Sequence, residues 1–176
     1  MSAVLRDDRT LVAAFVDDRS EAAFDALYER HAPRMYGLAR RLLGRAAGDA
    51  DDVLQTAWMR AAPRLASFRG DSSLSTWLCG FIVNCCRERG PGRLLSLDVP
   101  AVTEAAFDEP IDIHRALAAL PDGYRAVLLL HDVEGYTHLE IGALLGIEAG
   151  TSKSQLSRAR RAMREQLSGG GNDDGR

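Results

Sequence analysis

Apolar residues recur at helical spacing along most of this chain, and no convincing period-two strand interrupts them. Leu11, Val12 and Phe15 share one face of a stretch from Thr10 to about Val16. Ser20 is placed to cap a second stretch carrying Phe24, Leu27, Tyr28 and His31. Pro33 falls near the start of a further helix, Met35 to Leu43, a position where proline is tolerated. Gly44 and Gly48 bracket a short turn.

The next helix runs from Asp49 to Ala62, with acids in its first turn as the helix dipole favours. Val53, Ala57 and Ala61 give it an apolar face that Leu54 and Trp58 widen. Ser67 to Ser73 reads as a polar loop. A strongly apolar helix follows from Leu74 to Arg87, with Trp77, Leu78, Phe81 and Ile82, and Gly90-Pro91-Gly92 ends it. Helices restart near Ile111 and continue to the end, with a break at Leu120-Pro121-Asp122-Gly123.

The pattern predicts an all-α fold of two small helical modules joined by a flexible acidic linker. The divisions expected are a first module over 1–90, a linker over 91–110, a second module over 111–168 and a disordered tail over 169–176. The linker assignment rests on composition. From Pro91 to His114 the chain carries Asp98, Glu104, Asp108, Glu109 and Asp112 against Arg93, and Pro100 and Pro110 lie within it.

The second module holds the strongest local signal. Thr137-His138-Leu139-Glu140 matches a capping box, which starts a helix by satisfying two orphan amides. Ile141, Leu144 and Leu145 form its buried face, and Gly146 ends it. A second helix begins near Gly150-Thr151. Two short helices joined by a glycine-containing turn are the DNA-reading helix-turn-helix arrangement. On the second helix, Ser152, Leu156, Ala159, Met163 and Leu167 fall on one stripe expected to face the core. Ser154, Arg158 and Arg161 point the opposite way, with Ser157 and Arg164 beside them, where they can reach base edges or phosphates.

Charge sharpens this reading. The net charge is −3, yet Thr151 to Arg164 holds Lys153, Arg158, Arg160, Arg161 and Arg164 with no acid. A basic stripe on an acidic body suits phosphates on one face and other partners elsewhere. With 46% hydrophobic residues, a packed core is expected. No apolar run long enough for a membrane span appears. The start, Met1 to Thr10, lacks the apolar core of a signal peptide, so a cytoplasmic protein is expected. Cys79, Cys85 and Cys86 are an odd number, and the adjacent pair is poorly spaced for one zinc. They read as small apolar side chains, with redox sensitivity as the alternative.

These residues carry a family resemblance. Residues 116–167 resemble the fourth conserved region of RNA polymerase sigma factors of the extracytoplasmic-function type. Residues 49–84 resemble the second conserved region, through Asp49-Ala50-Asp51-Asp52-Val53-Leu54-Gln55, Phe68-Arg69-Gly70-Asp71-Ser72-Ser73 and Thr76-Trp77-Leu78. The resemblance implies core RNA polymerase, promoter DNA and an anti-sigma protein as partners, and duplex opening by binding, without cofactor, metal or catalytic residues. It implies that Asp49, Asp52 and Gln55 face polymerase. Arg69, Asp71, Ser72, Ser73, Trp77 and Asn84 would serve the minus-10 element and melting. Thr151, Lys153, Ser154, Gln155, Ser157, Arg158 and Arg161 would read the minus-35 element. Ser152 stands where the resembled family has a core valine, Gln155 where it has arginine, and Glu88 where it has aspartate.

Two other classes compete with this reading. A stand-alone helix-turn-helix regulator explains the second module but not the segment from Phe68 to Leu78. A metal-dependent enzyme built on Asp49, Asp51 and Asp52 lacks a nearby His, Lys or phosphate loop to complete a site.

Overall fold

The computed structural model describes residues 7–89 and 113–169; the expected linker, 91–110, and residues 170–176 of the expected tail lie outside the described residues. Every regular element among the described residues is helical. Helix α1 spans Asp8–Asp18 and is capped by the Asp7 carboxylate, which accepts from the Thr10 amide at 2.7 Å. Arg19, at φ 52°, ends it. Helix α2 spans Glu21–Leu43, with Ser20 accepting from the Ala23 amide as the sequence suggested.

Pro33 does not open a new helix, as expected from sequence; it lies inside α2. An interior proline costs a helix roughly 3 kcal/mol. Leu27, Met35, Leu38 and Leu42, all essentially fully buried on one face, offset it. Burying such a side chain contributes about 1.5–3 kcal/mol each. Tertiary packing therefore overrides the local break.

A 3-10 segment, Gly44–Asp49, leads into α3, Ala50–Ala61, and a second one, Ala62–Ser67, leads into the polar loop. Helix α4 runs Leu74–Arg89. Ser73 caps it, its hydroxyl accepting from the Thr76 amide at 3.0 Å. Helices α1, α3 and α4 all pack on α2.

In the second half, α5 spans Ile113–Ala119 and α6 Asp122–Leu128, divided at the expected Leu-Pro-Asp-Gly break. A π-helical turn over Leu129–Val133 follows, which periodicity did not reveal. The Glu134 amide donates back to the Leu129 carbonyl at 3.0 Å and closes this wide turn. Helix α7 is His138–Leu145 and α8 is Ala149–Gly169. Both capping-box bonds of Thr137 and Glu140 are present, and Gly146, at φ 71°, ends α7 in the left-handed conformation that glycine adopts without strain.

The two helical modules share one hydrophobic cluster among the described residues, running from Leu27 and Leu42 through Cys79 to Leu129, Ile141 and Leu156. Helix α7 lies against α4, so close that a β-carbon at Gly80 would sit 3.7 Å from a Leu144 methyl.

Candidate nucleic-acid interface

The two helices of the reading motif meet where their sequences predict. Ile141 and Leu145 of α7 and Ser152, Leu156 and Ala159 of α8 are buried. Leu167 leaves the expected stripe, being 43% exposed. The outward face of α8 carries Lys153, Ser154, Ser157, Arg158, Arg161 and Arg164, all exposed, while Thr151 is half-buried.

Gln155 is the exception among the expected base readers. It is only 4% exposed, and its Oε1 has no hydrogen-bond partner among the described residues. Its position, one residue before the buried Leu156, turns it toward the interior. The open face of α8 is therefore narrower than the sequence suggested, centred on Lys153, Ser154, Ser157 and Arg158.

The arginines on this face are unequally committed. Arg160 makes a two-pronged pair with Asp132, at 3.0 and 2.6 Å. Arg161 bonds Glu165 at 2.9 Å, one turn along. Arg158 donates to the Tyr124 hydroxyl at 3.4 Å and has no carboxylate partner among the described residues.

Ser152 resolves one departure from the resembled pattern. It is fully buried, and its hydroxyl is hydrogen-bonded to His138 Nδ1 at 2.9 Å, tying the start of α8 to the start of α7. The His138 ring also stacks on His131, centroids 4.6 Å apart. Desolvation first, then the charges of His131, Lys153 and Arg160, lower the His138 pKa, with Asp132 opposing. A histidine with a lowered folded-state pKa binds fewer protons folded than unfolded. Its contribution is fully present above the unfolded value and is lost as pH falls from there through the folded one. The melting temperature is therefore expected to fall as the pH drops below the ordinary histidine value of about 6.5. A His138→Asn variant should flatten that slope; an equal slope in the variant would remove His138 as its source.

In the first half, Arg69, Asp71, Ser72 and Ser73 are exposed on the loop before α4, with Arg69 and Asp71 paired at 3.4 Å. Trp77 is half-buried, its ring 5.7 Å from Phe68 and 4.7 Å from Phe81. Asn84 is exposed one turn beyond Phe81. A cleft of about 270 Å³ opens beside the loop, lined by Phe68, Gly70, Ser72 and Ser73 together with Asp7, Asp8 and Arg9. Sequence reasoning missed Arg9. Its guanidinium lies against Gly70, where a β-carbon would approach to 2.8 Å and where φ is 77°. No local signal in α1 points across to that loop.

Asp49, just before α3, and Asp52 and Gln55 on it are exposed. Asp52 and Gln55 share a face one turn apart, and Met59, 72% exposed, continues it. Arg89 at the end of α4 lies 3.4 Å from Asp52 and 3.9 Å from Asp49. The cysteines are buried and unpaired, and burial pushes the Cys79 and Cys86 thiols up to about 12, which keeps them protonated and poor nucleophiles. Among the described residues no cluster of three or more His, Cys, Asp or Glu is placed to hold a metal, and no helix is long and apolar enough to cross a membrane.

A helix-turn-helix with an open basic face, packed on a helical body that presents an acidic face and an aromatic-flanked loop, defines a two-module transcription factor. Residues 27–89 match the model for sigma-70 region 2, and residues 111–163 match that for sigma-70 region 4. The chain is 38% identical over 163 residues to the ECF RNA polymerase sigma factor SigM of Mycobacterium tuberculosis, covering 88% of this chain and 82% of that one. It is 30% identical to the ECF RNA polymerase sigma-E factor of Escherichia coli, over 89% of this chain and 92% of that one. Among solved structures it is similar to the sigma factor RpoE of Bartonella quintana, crystallised with the anti-sigma factor NepR. The TM-score is 0.61 at 26% identity, covering 86% of this chain and 98% of that one. The chain belongs to the extracytoplasmic-function family of RNA polymerase sigma factors.

Proposed function

We propose that this chain binds core RNA polymerase, directs it to promoters with defined minus-35 and minus-10 elements, and helps open the duplex by binding rather than by catalysis. The observation that carries this is the ordered pair of sigma regions, the second a helix-turn-helix with an open basic face. We divide the chain as 1–90, 91–110, 111–168 and a tail from 169.

Lys153, Ser154, Ser157 and Arg158 reach into the major groove at the minus-35 element, with Thr151 and Arg161 on the flanking phosphates. The exposed loop with Arg69, Asp71, Ser72 and Ser73, with Trp77 beside it and Asn84 beyond, holds unstacked minus-10 bases. Aromatic stacking and polar groups are what such bases need. Asp49, Asp52 and Gln55 face polymerase, and the cytoplasm is the compartment in which that encounter takes place. A dedicated anti-sigma protein holds the chain until a signal releases it; the complex of RpoE with NepR supports such a partner. The stand-alone regulator falls behind because it leaves the matched region 2 unexplained.

Run-off transcription with purified core polymerase on genomic promoter fragments tests the proposal. Discrete transcripts that appear only with this protein are the expected result, and their start sites give the promoter motif. DNA binding with neither transcripts nor polymerase binding would return the stand-alone regulator.

A further inference from the structure

A cleft of about 420 Å³ opens where α2 meets α5. Its volume is within the ~300–1,000 Å³ typical of small-molecule sites. Arg40 and Arg41 line it from the last turn of α2, and His114 lines it from the start of α5. Leu117 and Ala118 give it an apolar side, and no acid is among its described lining residues.

The negative groups nearby are already engaged. Glu134, its side chain 2% exposed, accepts from Arg34 Nε at 3.0 Å and Nη2 at 2.8 Å. Asp122 is paired with Arg125. The carbonyls at the C-terminal end of α2 would repel an anion, and two of them are bonded. The Leu42 carbonyl accepts from Arg125 Nε at 3.3 Å and Nη2 at 3.2 Å, and the Arg40 carbonyl accepts from the Gly44 amide. Arg125 is itself buried, and its guanidinium lies against Gly44, another residue of the cleft wall. A further positive charge therefore backs the cleft, and a recess of one sign focuses its field on a small anion.

Arg41 supplies the observation that points to a ligand. Its Nε is buried with no hydrogen-bond partner among the described residues, and its Nη2 stands 3.7 Å from Glu134 Oε1, beyond hydrogen-bond reach. A covered donor left unmade is destabilising, and an anion in the cleft would relieve it. Gly37 gives this guanidinium its place, since a β-carbon there would lie 3.6 Å from Nη1. Arg40 is exposed, with its guanidinium 6.0 Å from the centre of the Tyr36 ring, a contact that steers it without neutralising it.

We propose that this cleft binds a phosphate-bearing metabolite, with Arg40 and Arg41 gripping the phosphate and Leu117 and Ala118 covering the apolar part of the molecule. Guanidinium forks match phosphate oxygens in pairs, which suits them to this grip better than a point charge. His114 adds a polar group from the α5 side. The site is formed by residues far apart in sequence, so a ligand seated in it favours the folded chain.

Isothermal titration of the full chain with inorganic phosphate and with adenosine monophosphate, each exchanged for chloride at constant ionic strength, tests the site. Saturable binding of one molecule per chain is expected, tighter for the nucleotide by about tenfold because its ring adds the apolar side. Arg40→Gln and Arg41→Gln should each weaken binding on the order of tenfold. Arg40 is exposed, so Arg40→Gln asks little of the fold and keeps the test sound if Arg41→Gln proves unstable. Loss in the variants supports the site, and the ratio between the two probes tells a nucleotide-sized ester from free phosphate. No saturation up to about 10 mM of either probe, or variants that bind as wild type does, would overturn the proposal. Flat titrations with weaker promoter binding in both variants, and a salt slope smaller by about one, would also overturn it and give the two arginines to the DNA backbone.

Discussion

Replacing Arg158 by alanine is expected to cost about 1–3 kcal/mol of promoter binding, a loss of roughly 5- to 150-fold, the range for a good base contact. Among the arginines of the α8 face that the structure pairs, it is the least committed. Asp132 holds Arg160 in two prongs and Glu165 holds Arg161, whereas Arg158 has only the long bond to Tyr124. That bond steers the side chain without neutralising it. The measurement is holoenzyme binding to a promoter and to the same fragment with altered minus-35 bases, over a salt series. A base contact would show as a loss confined to the correct sequence. A phosphate contact would show as a uniform loss, with the salt slope smaller by about one. Arg19→Ala, exposed at the junction of α1 and α2, is the control. Equal losses at the two positions would mean that the reading face has been placed on the wrong side of α8.

Ile141→Ala should destabilise the protein by about 3 kcal/mol, within the ~2–5 kcal/mol seen for burying-site truncations of this type. Ile141 is wholly buried on α7, between the reading helix and α4, so the methyl groups removed have nowhere to be replaced. Leu139 on the same helix is 76% exposed, and Leu139→Ala should change stability by no more than about 0.5 kcal/mol. Chemical denaturation of the two variants side by side checks the rotation of α7 about its axis. Similar losses would show that α7 is turned from the orientation described.

The sequence spoke clearly wherever the determinant is local. The Thr137–Glu140 box, the Gly146 stop and the Ser20 cap each depend on residues within one turn, and each forms as read. The face of α8 was legible for the same reason, except at its margins. Gln155 sits beside the buried stripe, and whether such a residue is covered depends on how the neighbouring helices pack on α8, which periodicity does not encode. Leu167 erred the other way, since its stripe outruns the core beneath it. Pro33 was misread because its cost is local while the packing of Leu27, Met35 and Leu38 that offsets it is not. The contacts of Glu134 with Arg34 and of Arg125 with the Leu42 carbonyl join residues 100 and 83 positions apart. Nothing near either residue announces its partner. As for the candidate site, the sequence placed the loop before α4 but not Arg9, which reaches that loop only through the packing of α1.

The seat of Arg125 bears on engineering. A β-carbon at Gly44 would lie 2.8 Å from its guanidinium, and φ there is 55°, so the first module supplies both a vacancy and a bare carbonyl for a residue of the second. Chimeras that splice the front half of one sigma factor to the back half of another are a natural route to orthogonal promoters. Grafting this back half onto a front half with a side chain at that glycine would push a buried cation out of its berth. The two halves travel as a matched set, and a splice that respects the linker alone would carry a hidden mismatch.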